Sequence, residues 1–390
     1  MPALAAAFVE AAGHAGNRAV FFGTEGGLAG APAFARLRIG EQPTWEPVRW
    51  SARLAKHRSL REQLRRARAK GVGVRESHDP AERAEAAAGH GPLARLLEAW
   101  RAARPMATMG FLVHPEPFLH APERRLLVAE REGRPVGLLS LVPMGPDAWL
   151  AEHLLRAPDA PNGTAELLIH DAMQRLAAEG ATAVSLGLAP LAGHITWWLR
   201  VARTLSRPLF NFAGLAAFKR KLQPDSWTPI YLAYPRSIGP VRALLDSLRA
   251  FAEGSLLRFA AASIVRGPTW ALRLLEWLLV PWTALLAMVP TDRWFPSVSV
   301  HLAWVLFDIA LWSALRLRRK RRRAWLSPWL AMATTMDAML TGWQIAAWNA
   351  ARMQGPSDAV VLAIGLLGPA AASVLLWGAY RRERAPQRIE

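Results

Sequence analysis

The sequence contains no cysteine. That excludes a disulfide frame, a thiolate metal site and a cysteine nucleophile. Metal-binding histidine spacing is missing as well. Ten histidines are scattered along the chain, His-Glu-x-x-His does not occur, and no pair falls at i, i+4 on a credible helix. Neither a resident metal nor another cofactor is expected. Acid is scarce: 30 Asp and Glu face 48 Lys and Arg, a net charge of +18. Such a chain attracts anionic lipid head groups, nucleic acid or both, although the basic loops of a membrane protein account for part of the excess. The start, Met1-Pro2-Ala3-Leu4, lacks a basic segment before its apolar run, so no signal peptide is expected.

What the chain does have is a change of solvent near residue 270. Before it the sequence is polar, basic and mixed in pattern. After it, apolar stretches run over Trp270–Val289, Val298–Leu315, Leu326–Trp348 and Val360–Tyr380. At about 1.5 Å rise per residue each crosses most or all of a hydrocarbon core about 30 Å thick. The loop between the second and third reads Arg316-Leu317-Arg318-Arg319-Lys320-Arg321-Arg322-Arg323, and the tail carries Arg381-Arg382-Glu383-Arg384. The other two connections hold only Arg293 and Arg352. Basic loops stay cytoplasmic. A four-span protein of a bacterial-type inner membrane is expected, with the N-terminal region and C-terminus inside. Trp270, Trp294, Trp325, Trp329 and Trp377 sit near span ends, as interfacial tryptophans do. Arg273 and Glu276 in span one snorkel or pair at i, i+3. Asp308 and Asp337 lie deeper, where an acid serves either helix–helix hydrogen bonding or a function inside the bundle.

The soluble region alternates strands and helices. Strands are expected at Ala19–Phe22, Leu37–Ile39, Val72–Arg75, Trp149–Leu155, Ala183–Leu188 and Ile230–Tyr234. A hairpin joins Arg125–Glu130 to Pro135–Val142. Ser59 to Lys70 reads as a basic helix with Leu60, Leu64 and Ala67 on its apolar stripe, and Ser59 with Glu62 forms a capping box. Further helices cover residues 81–103, Thr164–Glu179 and Phe212–Arg220. The alternation implies an α/β domain on a mixed sheet. Residues 238–269 then form an amphipathic basic connector.

Four segments carry a resemblance: Arg65-Arg66-Ala67-Arg68-Ala69-Lys70-Gly71-Val72, Ala160-Pro161-Asn162-Gly163-Thr164-Ala165-Glu166-Leu167-Leu168, Leu186-Gly187-Leu188-Ala189-Pro190-Leu191 and Phe218-Lys219-Arg220-Lys221-Leu222-Gln223-Pro224. In order and spacing, over roughly residues 15 to 235, the chain resembles the C-terminal domain of phosphatidylglycerol lysyltransferases, the aminoacyl-phosphatidylglycerol synthases. The resemblance implies two tandem GNAT-like acyltransferase units, over residues 1–118 and 119–237, ahead of the connector, a transmembrane bundle at 270–380 and a tail at 381–390. It implies transfer of an aminoacyl group from aminoacyl-tRNA to a hydroxyl of an anionic phospholipid such as phosphatidylglycerol. Family enzymes carry their membrane domain, with its flippase, before the synthase; here the apolar segments follow it, so lipid flipping is not carried over. The family strand reading Asp-Leu-Met-Arg is His153-Leu154-Leu155-Arg156 here.

Transfer from an ester needs a positioned hydroxyl, a proton acceptor and donors for the developing oxyanion. Candidate catalytic residues are His153, Arg156 and Glu166. His153 or Glu166 takes the acceptor proton or holds the donor amino group, and Arg156 binds a phosphate or the terminal nucleotide. Asn162 and Gly163 shape the turn at a helix start whose free N–H groups favour an anion; a plain turn and cap explains them equally. Glu166 reads equally as a first-turn acid facing the helix dipole, and His153 as a strand histidine. Lys219 and Lys221, beside Trp227 and Tyr231, bind tRNA phosphate or a lipid head group, or form a solvated basic face. Arg65, Arg66 and Arg68 form the nucleic-acid footprint or lie on anionic lipid. Arg68-Ala69-Lys70-Gly71-Val72-Gly73 fits an acetyl-CoA pyrophosphate loop, but it closes a helix where such a loop should open one. Two other functions stay open: a different acyl donor or amphiphilic acceptor, and a non-catalytic domain that binds lipid or a partner.

Overall fold

The computed structural model describes residues 2–384 apart from 105, 108, 111–113, 120–122, 208, 209 and 322–324. Arg322 and Arg323 of the basic loop and residues 385–390 of the tail therefore lie outside the described residues. The chain divides into two compact units. One takes residues up to 256 except 103–107; the other takes 103–107 and the chain from 257 on.

In the first unit the elements follow as α1 (Pro2–His14), β1 (Phe21–Thr24), α2 (Gly26–Ala29), β2 (Phe34–Trp45), α3 (Trp50–Lys56), α4 (Arg58–Ala69), β3 (Val72–Ser77), α5 (Pro80–Ala87) and α6 (Gly91–Ala102). Then come β4 (Arg125–Arg131), β5 (Arg134–Pro143), β6 (Ala148–Arg156), α7 (Thr164–Ala178), β7 (Ala183–Ser185), β8 (Ala189–Pro190), α8 (Trp197–Leu205), α9 (Phe212–Lys221), β9 (Ser226–Pro235) and α10 (Pro240–Phe251). One mixed sheet runs β1-β9-β2-β7-β6-β5-β4-β3, with β8 against β2. Its pairs are antiparallel except β6 with β7. Strands from both sides of residue 118 interleave in it: β3 lies on β4, and β2 lies between β9 and β7.

The expected α/β class holds, and several boundaries move. β2 and β9 pair over ten register positions, from Phe34 with Pro235 to Thr44 with Ser226. That ladder makes strand out of Arg36, Arg38, Gln42 and Thr228, which carry no apolar signal, so both strands exceed their expected lengths. β1 slides two residues toward the C-terminus, and β7 stops at Ser185. The helix expected over 81–103 breaks into α5 and α6 at Gly89 and Gly91, whose φ values are 83° and 74°. The β4–β5 hairpin forms as expected. Its two central residues, Glu132 and Gly133, both have positive φ (54° and 74°), as a type I′ turn requires.

α4 starts at Arg58 with His57 as N-cap and no side-chain cap bond, so the Ser59–Glu62 capping box does not form. Glu62 instead takes bonds from Arg65 and Arg66 one turn on, at 2.8–2.9 Å. Leu60, Leu64 and Ala67 are buried as expected. Gly71 follows the helix with φ 76° and β3 begins at Val72, so the Gly71–Gly73 segment does not open a helix.

The larger core joins β3 to β7 with α3, α4, α6 and α7. In β4 the run Leu126-Leu127-Val128-Ala129 is fully buried, as expected of a strand covered on both faces. A smaller core packs α8 and α10 on β2 and β9. Half of the expected connector therefore belongs to this unit: α10 buries Ala243 and Phe251.

The second unit contains α11 (Leu256–Val265), α12 (Thr269–Met288), α13 (Thr291–Trp294), α14 (Val298–Arg321), α15 (Leu326–Gln344), a π-helical turn Ile345–Asn349, and α16 (Pro356–Arg384). Among the described residues three helical segments are long and apolar enough to cross a membrane: Trp270–Met288, Val298–Arg319 and Pro356–Arg384. α15, the third expected span, is not among them. Glu276 does not pair with Arg273; it takes two bonds from Arg319 at 2.9 Å. Arg293 pairs with Asp358 at 2.9 Å. Leu272, Leu311, Leu330 and Leu376 form the unit's apolar centre.

Candidate functional site

The Pro161-Asn162-Gly163 turn leads into α7 and gathers several of the expected residues. Gly163 is the N-cap, with φ 95°. A Cβ there would lie 2.1 Å from the backbone oxygen of Gln63 and 3.3 Å from the Ala67 methyl, so only glycine lets α4 rest on the turn. Thr164 is buried, and its hydroxyl donates to Pro161 O at 2.7 Å. Asn162 is exposed on the outside of the turn. Gly163 thus brings the basic helix α4 beside the start of α7.

Glu166, in the first turn of α7, is only 8% exposed. Its Oε1 accepts from Lys221 Nζ at 2.7 Å, which ties α7 to the end of α9. Lys221 keeps one third of its side chain exposed. The pair presents a carboxylate and an ammonium together at the rim of the turn.

Lys219 has a different role from the one expected. It is 4% exposed, and its Nζ donates to three consecutive carbonyls, Leu186 O, Gly187 O and Leu188 O, at 2.7, 2.8 and 2.9 Å. An ammonium has three donors, and all are used, so none remains for phosphate. The residue fixes the Leu186–Leu188 segment to α9. Burial pushes its amine down to about 7, although three carbonyl acceptors suit the charged form.

Arg156, the last residue of β6, pairs in register with Gly137 of β5. A Cβ on Gly137 would meet Thr164 and Leu168 at 3.0 Å. Directly opposed residues point to the same face, so Arg156 leaves the sheet on the α7 side, with Glu166. Its side chain is exposed.

His153 is not brought to this group. It stands three residues before Arg156 on a regular stretch of β6, opposite Ser140, and so points to the other face of the sheet. There Glu152 lies 3.4 Å away, and Arg124 bonds both Glu152 and the Ser140 hydroxyl. Burial pushes His153 below its ordinary value, against the opposing pull of Glu152. The expected catalytic set is thus split by the sheet: Arg156 and Glu166 on one face, His153 on the other.

Arg65 and Arg66 are exposed on α4 and tethered by Glu62, and Arg68 is exposed one turn on. Trp227 packs on Ala189, Ala192 and Ala216 with the Arg220 guanidinium over its ring at 5.7 Å. Tyr231 sits between β1 and β2, under Arg36 at 5.2 Å, and β2 and β7 separate its strand from β6.

One partnership escaped sequence reasoning. The Trp50 indole donates to His170 Nδ1 at 2.9 Å, inside the core. His170 is four residues beyond Glu166, one turn along the same face of α7; that spacing was the available signal. Burial pushes His170 below its ordinary value, and a neutral ring with Nδ1 accepting carries its proton on Nε2. The bond clamps α7 to α3 beneath the Glu166–Lys221 pair.

The sequence profile of the family described as phosphatidylglycerol lysyltransferase, C-terminal, matches residues 1–234. A phosphatidylglycerol lysyltransferase of Bacillus subtilis (strain 168) is 34% identical over 115 residues, covering 27% of this chain and 13% of its own length. A lysylphosphatidylglycerol biosynthesis bifunctional protein of Mycobacterium avium (strain 104), LysX, is 31% identical over 117 residues, or 27% and 10%. The chain thus spans a small part of these relatives. Among solved structures, the C-terminal domain of a putative lysylphosphatidylglycerol synthetase from Agrobacterium fabrum superposes with a TM-score of 0.53 at 25% identity, covering 65% of this chain and 79% of that one. The L-PGS structure from Bacillus licheniformis gives 0.53 at 21%, covering 64% and 78%.

Proposed function

The chain belongs to the phosphatidylglycerol lysyltransferase C-terminal family, and from that premise we propose that it transfers an aminoacyl group from aminoacyl-tRNA to a hydroxyl of a membrane phospholipid such as phosphatidylglycerol. The lipid oxygen attacks the ester carbonyl, the bond to the tRNA ribose breaks, and the hydroxyl proton ends on the ribose oxygen. The product lipid has gained an amino group and lost net negative charge.

One observation carries the reading: Arg156, Glu166 and Lys221 share one face of the sheet near the Pro161–Gly163 turn, on which α4, the helix of Arg65, Arg66 and Arg68, rests. In the proposed reaction Arg156 holds a phosphate of lipid or terminal nucleotide. The Glu166 carboxylate accepts the lipid proton or the donor's amino group, with Lys221 balancing its charge. Arg65, Arg66 and Arg68 contact the tRNA backbone, and Asn162 borders the turn. Lys219, with its donors spent, acts by positioning the Leu186–Leu188 segment. His153, on the far face, has no part in the transfer. We place the first unit and the C-terminus in the cytoplasm of a bacterial-type cell, since the basic run Arg316 to Arg321 at the end of α14 favours that side.

Phospholipids extracted from cells with and without the protein and weighed by mass spectrometry test this. The expected result is a new phospholipid heavier by one aminoacyl group. Arg156→Ala lowers its yield by about a hundredfold or more, as losing a group that binds charge in the transition state does. No new lipid from folded, membrane-inserted protein, or full yield from Arg156→Ala, overturns the assignment.

A further inference from the structure

The second unit carries a polar feature that the proposed transfer does not use. On α15 and the turn after it, Asp337, Thr341, Gln344 and Asn349 follow at steps of four, three and five. Steps of three and four keep side chains on one helix face. The step of five falls in the π-helical turn Ile345–Asn349, whose wider winding keeps Asn349 in line. A polar stripe thus runs from mid-helix to its end, and it helps explain why α15 is not among the long apolar helices.

All four residues line a cleft of about 610 Å³ among α12, α14, α15 and α16, within the size range of small-molecule sites. Asp308 of α14 lines it too. The remaining wall is almost entirely leucine, tryptophan, valine and other apolar side chains.

The two acids in the cleft differ from the other buried acids of this unit. Glu276 and Asp358, 7% and 6% exposed, each hold an arginine. Asp308 and Asp337 are 5% and 6% exposed, and among the described residues neither forms an ion pair. Among the described residues Asp308 hydrogen-bonds only with the Thr283 hydroxyl, at 3.4 Å, and that hydroxyl makes its 2.7 Å bond to Leu279 O. Asp337, among the same residues, hydrogen-bonds only with Thr341, at 3.2 Å. A carboxylate in an apolar medium without a cation is costly, and such residues face ligand or ion paths.

We propose that this cleft binds a cationic amphiphile: an amine-bearing head held by Asp308 and Asp337, and an apolar chain along the leucine and tryptophan wall. A neutral chain would cover the wall and leave both acids unmet. An inorganic cation would meet the acids and leave the wall bare. The proposal stands apart from the transfer reaction and does not depend on it.

The test uses the full chain in a neutral maltoside detergent, with hexadecylamine and hexadecanol as probes and native mass spectrometry to count bound molecules. Hexadecylamine is expected to bind saturably, one per chain, and about tenfold or more tightly than hexadecanol. Asp308→Asn and Asp337→Asn each weaken the amine by about tenfold and leave the alcohol within about twofold. Gly365→Leu weakens both probes, because Gly365 lines the cleft with Trp282 3.7 Å from its Cβ position. Melting curves confirm that each variant is folded; where one Asn variant is not, the other and Gly365→Leu decide. Equal affinity for amine and alcohol, unchanged amine affinity in the Asn variants, or no saturable binding overturns the proposal.

Discussion

Glu166 and Asp337 are buried to nearly the same degree, 8% and 6% exposed, in two units that solve the same problem differently. Glu166 has a lysine 2.7 Å away, delivered by a helix end 55 residues later in the chain. Asp337 has a threonine of its own helix and a cleft. The first unit brings a counter-charge to its acid by folding. The apolar unit gives one arginine each to Glu276 and Asp358 and, among the described residues, leaves the acids of the cleft without one. A carboxylate fixed by its own chain can act on a substrate that brings no charge of its own to that spot. A carboxylate left without a cation suits a ligand that supplies one.

Removing Lys221 makes Glu166 resemble Asp337, and this has the largest expected effect. Lys221→Ala strands Glu166 in the first turn of α7. Product lipid falls by about a hundredfold, and stability drops by about 2 kcal/mol, at the low side for a buried pair because Lys221 is 33% exposed. Lys221→Met with Glu166→Gln recovers most of the stability, since no charge is left unmet, and none of the activity. Lipid mass spectrometry and thermal unfolding of the purified chain read the two effects separately. Activity returning in the double variant would show that the pair is only structural.

Lys219 offers a subtler comparison, a buried amine with carbonyls in place of an acid. Its folded value of about 7 lies below the ordinary 10.5. Between those values the unfolded chain binds more protons than the folded one, so stability rises with pH across that window and flattens below about 7. In Lys219→Met the rise shrinks. Unfolding midpoints from pH 7 to 10 measure it, and equal slopes in the two proteins would mean that the amine is not desolvated as its surroundings imply.

Local chemistry made some of this legible and hid the rest. The change of solvent near residue 270, the hairpin at Glu132-Gly133 and the turn at Asn162-Gly163 announce themselves, because apolar runs and residues suited to positive φ act within a few positions. The long β2–β9 ladder does not, since Arg36 and Thr228 become strand only through partners about 190 residues away. Lys219 and Lys221 look alike in sequence as two cations of one motif. Two residues apart on a helix they face differently, so one enters the carbonyls of Leu186–Leu188 and the other meets Glu166. His153 and Arg156 look like one site, yet an offset of three along a strand sends them to opposite faces.

The smallest effect is expected at Ser59, where sequence pattern and structure disagree. A formed capping box makes Ser→Ala cost about 1 kcal/mol. Here α4 has already begun at Arg58, Ser59 is exposed inside its first turn, and Glu62 faces forward to Arg65 and Arg66. Alanine is also the better helix former by a few tenths of a kcal/mol. Ser59→Ala should therefore leave thermal stability unchanged or slightly raised, within about 0.5 kcal/mol. His57 is the residue in the cap position, and it offers no side-chain bond; His57→Asp should stabilise the helix by adding one. A loss of about 1 kcal/mol at Ser59 would mean that α4 starts one residue later in solution and that Glu62 turns back to the cap, freeing Arg65 and Arg66 for an anion.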